Sequence, residues 1–183
     1  MNQIFFTSDL HIGHDKEFIW KNRGFTSIED HDTAILKNWN DTIMSGDTVY
    51  ILGDLCLGQN EKEWNRVYKN LNGDKYFIRG NHDTNNKISK YVEEYNIKDL
   101  GYANIIKYNK KWSFYLCHYP TFTENPYEPH KNPVINLFGH THQNSNFFIN
   151  NYYMYHVGLD SHNLTPVSIE QIIEDISKER KKE

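Results

Sequence analysis

Cysteine is scarce in this chain. Only Cys56 and Cys117 occur among 183 residues. Two thiols build no disulfide framework, and a reducing, cytoplasmic setting is the expectation. Long hydrophobic runs are also missing. No stretch approaches the roughly 18 consecutive apolar residues of a membrane helix. The opening "MNQIFFTSDLH" lacks a charged region ahead of an apolar one, so neither a signal peptide nor a membrane partner is expected. Excess positive charge is absent too. The formal net charge of −4 argues against a surface that coats long nucleic acid, which needs a basic face. No repeat, linker or low-complexity segment divides the chain, so one domain over residues 1–183 is expected.

What is present is an alternation of short apolar runs and amphipathic segments. "QIFFT" (3–7), "DTVYIL" (47–52), "KYFIR" (75–79), "PVINLF" (133–138) and "YYMYHVG" (152–158) read as strands. "NIIKYNKKWSFYLC" (104–117) reads as a hairpin turning at Asn109-Lys110. Helices are expected over 27–44, 61–71, about 86–95 and after Pro166. In the first of these, Ser27 is the N-cap, and Ile28, Ile35, Trp39 and Ile43 share a face. The order predicts an α/β sandwich, largely parallel in its first half and antiparallel in its second. The proline-bearing segment 119–133 reads as a long lid or binding loop.

The ten histidines become informative by position. "IFFT" is followed by Asp9 and His11, "TVYIL" by Gly53-Asp54, and "YFIR" by Gly80-Asn81-His82-Asp83. "SFYL" leads to His118, and "VINLF" to Gly139-His140-Thr141-His142. Ligands in open α/β sheets bind beyond the carboxyl ends of the strands, so these loops are expected to converge on one rim. Residues i and i+2 of an extended chain point to one side, which would let His140 and His142 face a site together. The glycines at 53, 80 and 139 allow sharp turns and close backbone approach. Two aspartates, one asparagine and four histidines are too many ligands for one cation and suit two. The mixed N/O set favours Mn, Fe, Zn or Ni over Mg alone.

The ordered motifs "DLH" (9–11), "GD" (53–54), "GNHD" (80–83), His118 and "GHTH" (139–142) resemble the calcineurin-like metallophosphoesterases, in particular small, cap-less bacterial members. The resemblance covers nearly the whole chain. It implies a four-layer α/β/β/α sandwich of two mixed sheets flanked by helices. It implies that Asp9, His11 and His142 hold one divalent metal, that Asn81, His118 and His140 hold a second, and that Asp54 bridges them. It implies a phosphoesterase that cleaves phosphomonoester or phosphodiester bonds by attack of a metal-bridging hydroxide. His82 would face the substrate and serve the leaving oxygen, Asp83 would orient His82, and Arg79 would contact phosphate. A small phosphoester or nucleotide is the expected substrate.

Blander readings stand beside these. His14 could reach substrate or make a structural hydrogen bond, and Arg23 could contact an anionic substrate or lie free on the surface. Cys56 and Cys117 read as packing residues, and Tyr152, Tyr153 and Tyr155 as strand packing. His31, His130, His156 and His162 receive no role, although His130 sits in the long loop. The alternative function is a non-catalytic metal-binding scaffold of the same fold; the complete ligand set with His82 argues for the enzyme. Sequence alone does not distinguish substrates, native metal or oligomeric state.

Overall fold

In the computed structural model, which describes residues 2–58, 60–123, 134–149 and 151–181, strands and helices alternate through the first hundred residues. The elements are β1 (Ile4–Thr7), α1 (Glu17–Trp20), α2 (Ile28–Thr42), β2 (Thr48–Leu52), α3 (Glu61–Tyr68), β3 (Asp74–Ile78) and α4 (Asn85–Tyr95). There follow β4 (Lys98–Asp99), β5 (Ala103–Tyr108), β6 (Trp112–Cys117), β7 (Val134–Phe138), β8 (Phe147–Phe148), β9 (Asn151–His156), β10 (Val167–Ser168) and α5 (Ile169–Arg180). A short 3₁₀ turn, Leu159–Ser161, follows β9. Most of the 119–133 segment, His130 included, lies outside the described residues.

Local chemistry sets the boundaries. Ser27 Oγ accepts the Asp30 N–H at the start of α2, Asn60 Oδ1 caps α3, and Ser168 Oγ caps α5. Each such cap contributes about 1 kcal/mol. Asn109 and Lys110 both take positive φ, 51° and 58°, the backbone of a tight turn between β5 and β6. The short α1 is absent from the sequence reading because a single turn carries too little periodicity to detect.

The strands form two five-stranded mixed sheets, ordered β10-β1-β2-β3-β4 and β5-β6-β7-β9-β8. In the first, β1 to β4 run parallel and β10 runs against β1. The second departs from expectation. Its central strands β6, β7 and β9 are parallel, and only the edge strands β5 and β8 are antiparallel. No helical pattern separates these strands in the sequence, so an antiparallel arrangement was expected. Yet the connections after β6 and β7 are long enough for the crossovers that parallel pairing requires. The consequence is functional: β1, β2, β3, β6, β7 and β9 deliver their carboxyl ends to neighbouring loops.

Two apolar clusters hold the layers. Phe5, Val49, Ile51 and Phe77 pack under α2–α4 with Ile35, Trp39, Trp64, Tyr68 and Tyr91. Phe6, Leu52 and Ile78, from alternate positions of the same strands, meet Phe114, Leu116, Ile135, Leu137 and Tyr155 of the second sheet. Ile169, Ile172 and Ile176 join this second cluster from α5, which packs across β1, β10 and β9. Burying each such side chain contributes about 1.5–3 kcal/mol. Tyr152, Tyr153 and Tyr155 are buried strand residues, as expected.

Candidate metal centre

Backbone hydrogen bonds tie the motif loops together at the rim, and the last of the three below links the two sheets. Asp9 N–H donates to Gly53 O (3.1 Å), Gly139 N–H to His118 O (2.9 Å) and Leu159 N–H to Ser8 O (3.3 Å). The contacts are tight. A methyl group added at Gly139 would lie 2.4 Å from Asp9 Oδ2, and one at Gly53 would lie 2.4 Å from His118 Nδ1. Gly53 also has φ 88°, so a side chain there would be strained as well as crowded.

Asp9, His11, Asp54, His140 and His142 all occupy the left-handed region, with φ between 48° and 68°. That conformation costs a non-glycine residue about 1–3 kcal/mol, and such strain concentrates at functional sites. It also corrects the expectation that extended backbone aims His140 and His142 together. The chain turns at each of them, and their rings part. His142 joins His11, with Nε2 atoms 3.1 Å apart. His140 packs its ring on His118 and Tyr119, at centroid distances of 5.1 and 4.8 Å.

Asp9, His11 and His142 form one group able to hold a cation, and Asp9, Asp54 and His118 form a second. Lone pairs face one another in both regions. His118 Nδ1 donates to Leu52 O (2.8 Å), which leaves Nε2 as an acceptor. That nitrogen lies 2.9 Å from Asn81 Oδ1, itself an acceptor. Two ring nitrogens in contact, as in His11 and His142, require a shared proton or a shared cation. Asp9 Oδ2 accepts from Ser8 Oγ (2.5 Å) and the His140 N–H (2.9 Å), whereas buried Asp9 Oδ1 has no partner among the described residues. Asp54 Oδ2 lies 4.0 Å from His11 Nε2, 3.6 Å from His118 Nε2 and 3.9 Å from His82 Nε2. An orphaned carboxylate oxygen ringed by imidazole lone pairs fits divalent metal. Burial, then the neighbouring His142, holds the His11 pKa well below its ordinary value, so His11 is neutral and free to ligate.

The remaining candidates fall in different surroundings. His82 is brought to the open side, its side chain 46% exposed. Asp83 has other partners than His82. Its carboxylate accepts the N–H groups of Gly80 and Asp54 (2.8 Å each), and the Tyr91 hydroxyl donates to it at 3.3 Å. It ties one motif loop to the other. Arg79 forms a bidentate pair with Asp99, so the fork expected to grip phosphate is already engaged. Arg23 is neither on the surface nor free. Its side chain is 3% exposed, bound to Asp160 and donating to Asp9 O (2.8 Å). His14 stacks 5.4 Å from the His11 ring, and its buried Nδ1 has no partner among the described residues. Cys56 is buried against the Tyr91 hydroxyl, and that burial pushes its thiol up to about 12.

The sequence reading missed Asp160. Its Oδ2 accepts from His142 Nδ1 (2.9 Å) and from Arg23 (2.9 Å). The signal was available: Asp160 follows the β9 strand, just as the other carboxylates follow theirs. His31 also gains a role. It accepts from Arg23 and donates to Asp32, which holds the Gly13 N–H (2.8 Å) in the loop beyond His11.

Beside the centre lies a cavity of about 670 Å³, whose lining includes His11, His14, His82 and His142 together with the apolar Phe18, Ile19 and Leu57. No helix among the described residues is long and apolar enough to cross a membrane.

Two mixed sheets with aspartate and histidine gathered at their strand ends define an α/β architecture with a candidate metal site. The description of the calcineurin-like phosphoesterase superfamily domain matches residues 3–167, and the chain belongs to that family. An uncharacterized protein of Methanocaldococcus jannaschii is 33% identical over 97% of this chain and 93% of that protein. The gene 66 protein of Mycobacterium phage D29 is 29% identical over 97% of this chain and 99% of its own length. The crystal structure of a protein of unknown function from Aquifex aeolicus shares the fold, with TM-score 0.72 and 24% identity over 95% of this chain and 99% of that one.

Proposed function

We propose that this chain is a metal-dependent phosphoesterase that hydrolyses a small phosphomonoester or phosphodiester. Asp9, His11 and His142 would hold one divalent cation, and Asn81, His118 and His140 a second, with Asp54 between them. One observation carries the reading: the acceptor atoms of His118 and Asn81 lie 2.9 Å apart, and His118 groups with Asp9, whose buried Oδ1 lacks a hydrogen-bond partner among the described residues. Manganese is the first choice, and Fe, Zn or Ni suit the same mixed donors. Such a pair of cations, when bound, would neutralise phosphoryl oxygens and acidify the attacking water.

The chain's own residues supply the rest. Leu52 O and Asp160 fix the tautomers of His118 and His142, so both present a lone pair inward. His82 stands at the solvent side of Asp54, with its backbone N–H donating to Asp54 Oδ1 (3.0 Å). From there its ring can give a proton to the departing oxygen. His14, beside His11, adds a ring nitrogen on the same side.

The test is hydrolysis of p-nitrophenyl phosphate and bis-p-nitrophenyl phosphate by chelator-stripped protein. Mn²⁺, Ni²⁺, Zn²⁺ and Mg²⁺ are titrated in turn, with Asp54→Ala as control. Metal-dependent release that the variant loses is expected. Absence of release with every metal, in protein that binds two ions, would point to a narrow natural substrate or to a non-catalytic scaffold.

A further inference from the structure

The cavity beside the centre also has apolar lining, Phe18, Ile19 and Leu57, that takes no part in metal binding. Phe18 is 62% exposed there, with Ile19 and Leu57 beside it. A lone exposed phenylalanine would mean little. This one is held. Ile19 and Trp20, its neighbours in α1, are buried and anchor the turn. Its ring stands edge-on to His14, at 5.7 Å and 89°, and His14 in turn rests against His11. A flat apolar face is thereby fixed two rings away from a metal-ligand candidate.

The polar groups beside that lining narrow the ligand. Asn22 and Asn144 line the cavity, and neither amide has a hydrogen-bond partner among the described residues. Each offers both a donor and an acceptor. Arg23 and Asp160 also line the cavity, but they are spent on each other. Among the lining residues the one guanidinium, Arg23, is already paired, and a bare polyol would leave the ring face wet. A planar ring with amide-like edges satisfies both the apolar and the polar features.

We propose that this lining binds the leaving half of the substrate, and that the leaving half carries a nucleobase stacked on Phe18, its edge read by Asn22 and Asn144. The inference rests on the phosphoesterase reading above and names the substrate class for that site. Base–aromatic stacking contributes enough to affinity to be read in kinetics.

The test compares two monoesters of a ribose 5-hydroxyl, adenosine 5′-monophosphate and ribose 5-phosphate, whose leaving alcohols differ in carrying or lacking the base. Their methyl diesters are used if the protein prefers diesters. In the wild type, kcat/KM is expected to be at least tenfold higher for the base-bearing ester. Phe18→Ala should cut that ratio fivefold or more, and Phe18→Tyr should keep it. Calorimetric binding of the same two esters to metal-loaded protein gives a second reading that needs no turnover. Tighter binding of the nucleotide with no hydrolysis of any ester would remove the phosphoesterase reading and keep the base site. Hydrolysis of both esters at one rate, or a ratio that Phe18→Ala leaves unchanged, would overturn the base site and keep the phosphoesterase.

Discussion

Asp160 Oδ2 accepts a hydrogen bond from His142 Nδ1 at 2.9 Å, while the same carboxylate takes the Arg23 guanidinium. Burial opposes the charge on Asp160, but the bonds from His142 and Arg23 outweigh it and hold the carboxyl well below the usual range. Asp160 is therefore ionised at any working pH and sets the His142 tautomer. Asp160→Asn should weaken metal binding about 10–100-fold, the usual effect of losing such a partner. Competition against a chelator dye measures this. Unchanged affinity would show that His142 needs no such support.

His82 sits apart from the lone-pair clusters. His82→Ala should lower kcat by roughly 10²-fold or more, in the range of general-acid losses, with metal content at the wild-type level. Metal analysis beside steady-state kinetics decides it. Loss of metal together with activity would make His82 a ligand.

Asp83 joins the Asp54 loop to the Asn81 loop through two backbone N–H groups. Hydrogen bonds to a charged group contribute about 1.5–3 kcal/mol. Asp83→Asn should therefore lower Tm by roughly 4–10 °C for a chain of this length. The shape of the pH–rate profile should stay as it was. A shifted profile at unchanged Tm would instead restore Asp83 as the partner of His82.

His156 is fully buried. Burial, then neighbouring His162, lowers its pKa to about 3, and its Nε2 has no partner among the described residues. The unfolded chain takes up the proton near pH 6.5, so the unfolded state binds more protons between those values. The stability associated with neutral His156 is complete above pH 6.5 and declines as pH falls toward 3. The loss is about 2 kcal/mol at pH 5. Thermal melts of metal-free protein from pH 7 to 5 should slope accordingly, and His156→Gln should flatten that slope. An equal slope in the variant would remove His156 as the source.

Much of this site is readable without coordinates, because strand ends are where open sheets place ligands. Asp9, Asp54, Asn81, His118 and His140 all follow recognisable apolar runs. What sequence hides is how the chain turns there. Left-handed backbone at five non-glycine positions has no local signature, and it pairs His142 with His11 instead of His140. The fates of Arg79 and Arg23 were equally hidden. A guanidinium near a motif can meet phosphate or a protein carboxylate, and only the fold brings Asp99 and Asp160 within reach. The parallel centre of the second sheet was hidden because no helical pattern separates its strands in the sequence.

The central claim is that two adjoining groups of ligand atoms, which meet at Asp9, each hold a cation. Metal-stripped protein dialysed to saturation in Mn²⁺ and analysed for metal per chain tests this directly, with His142→Ala and His118→Ala measured alongside. The account predicts two ions in the wild type and one in each variant. A wild-type content of one ion or none, or a count that neither variant changes, would contradict it.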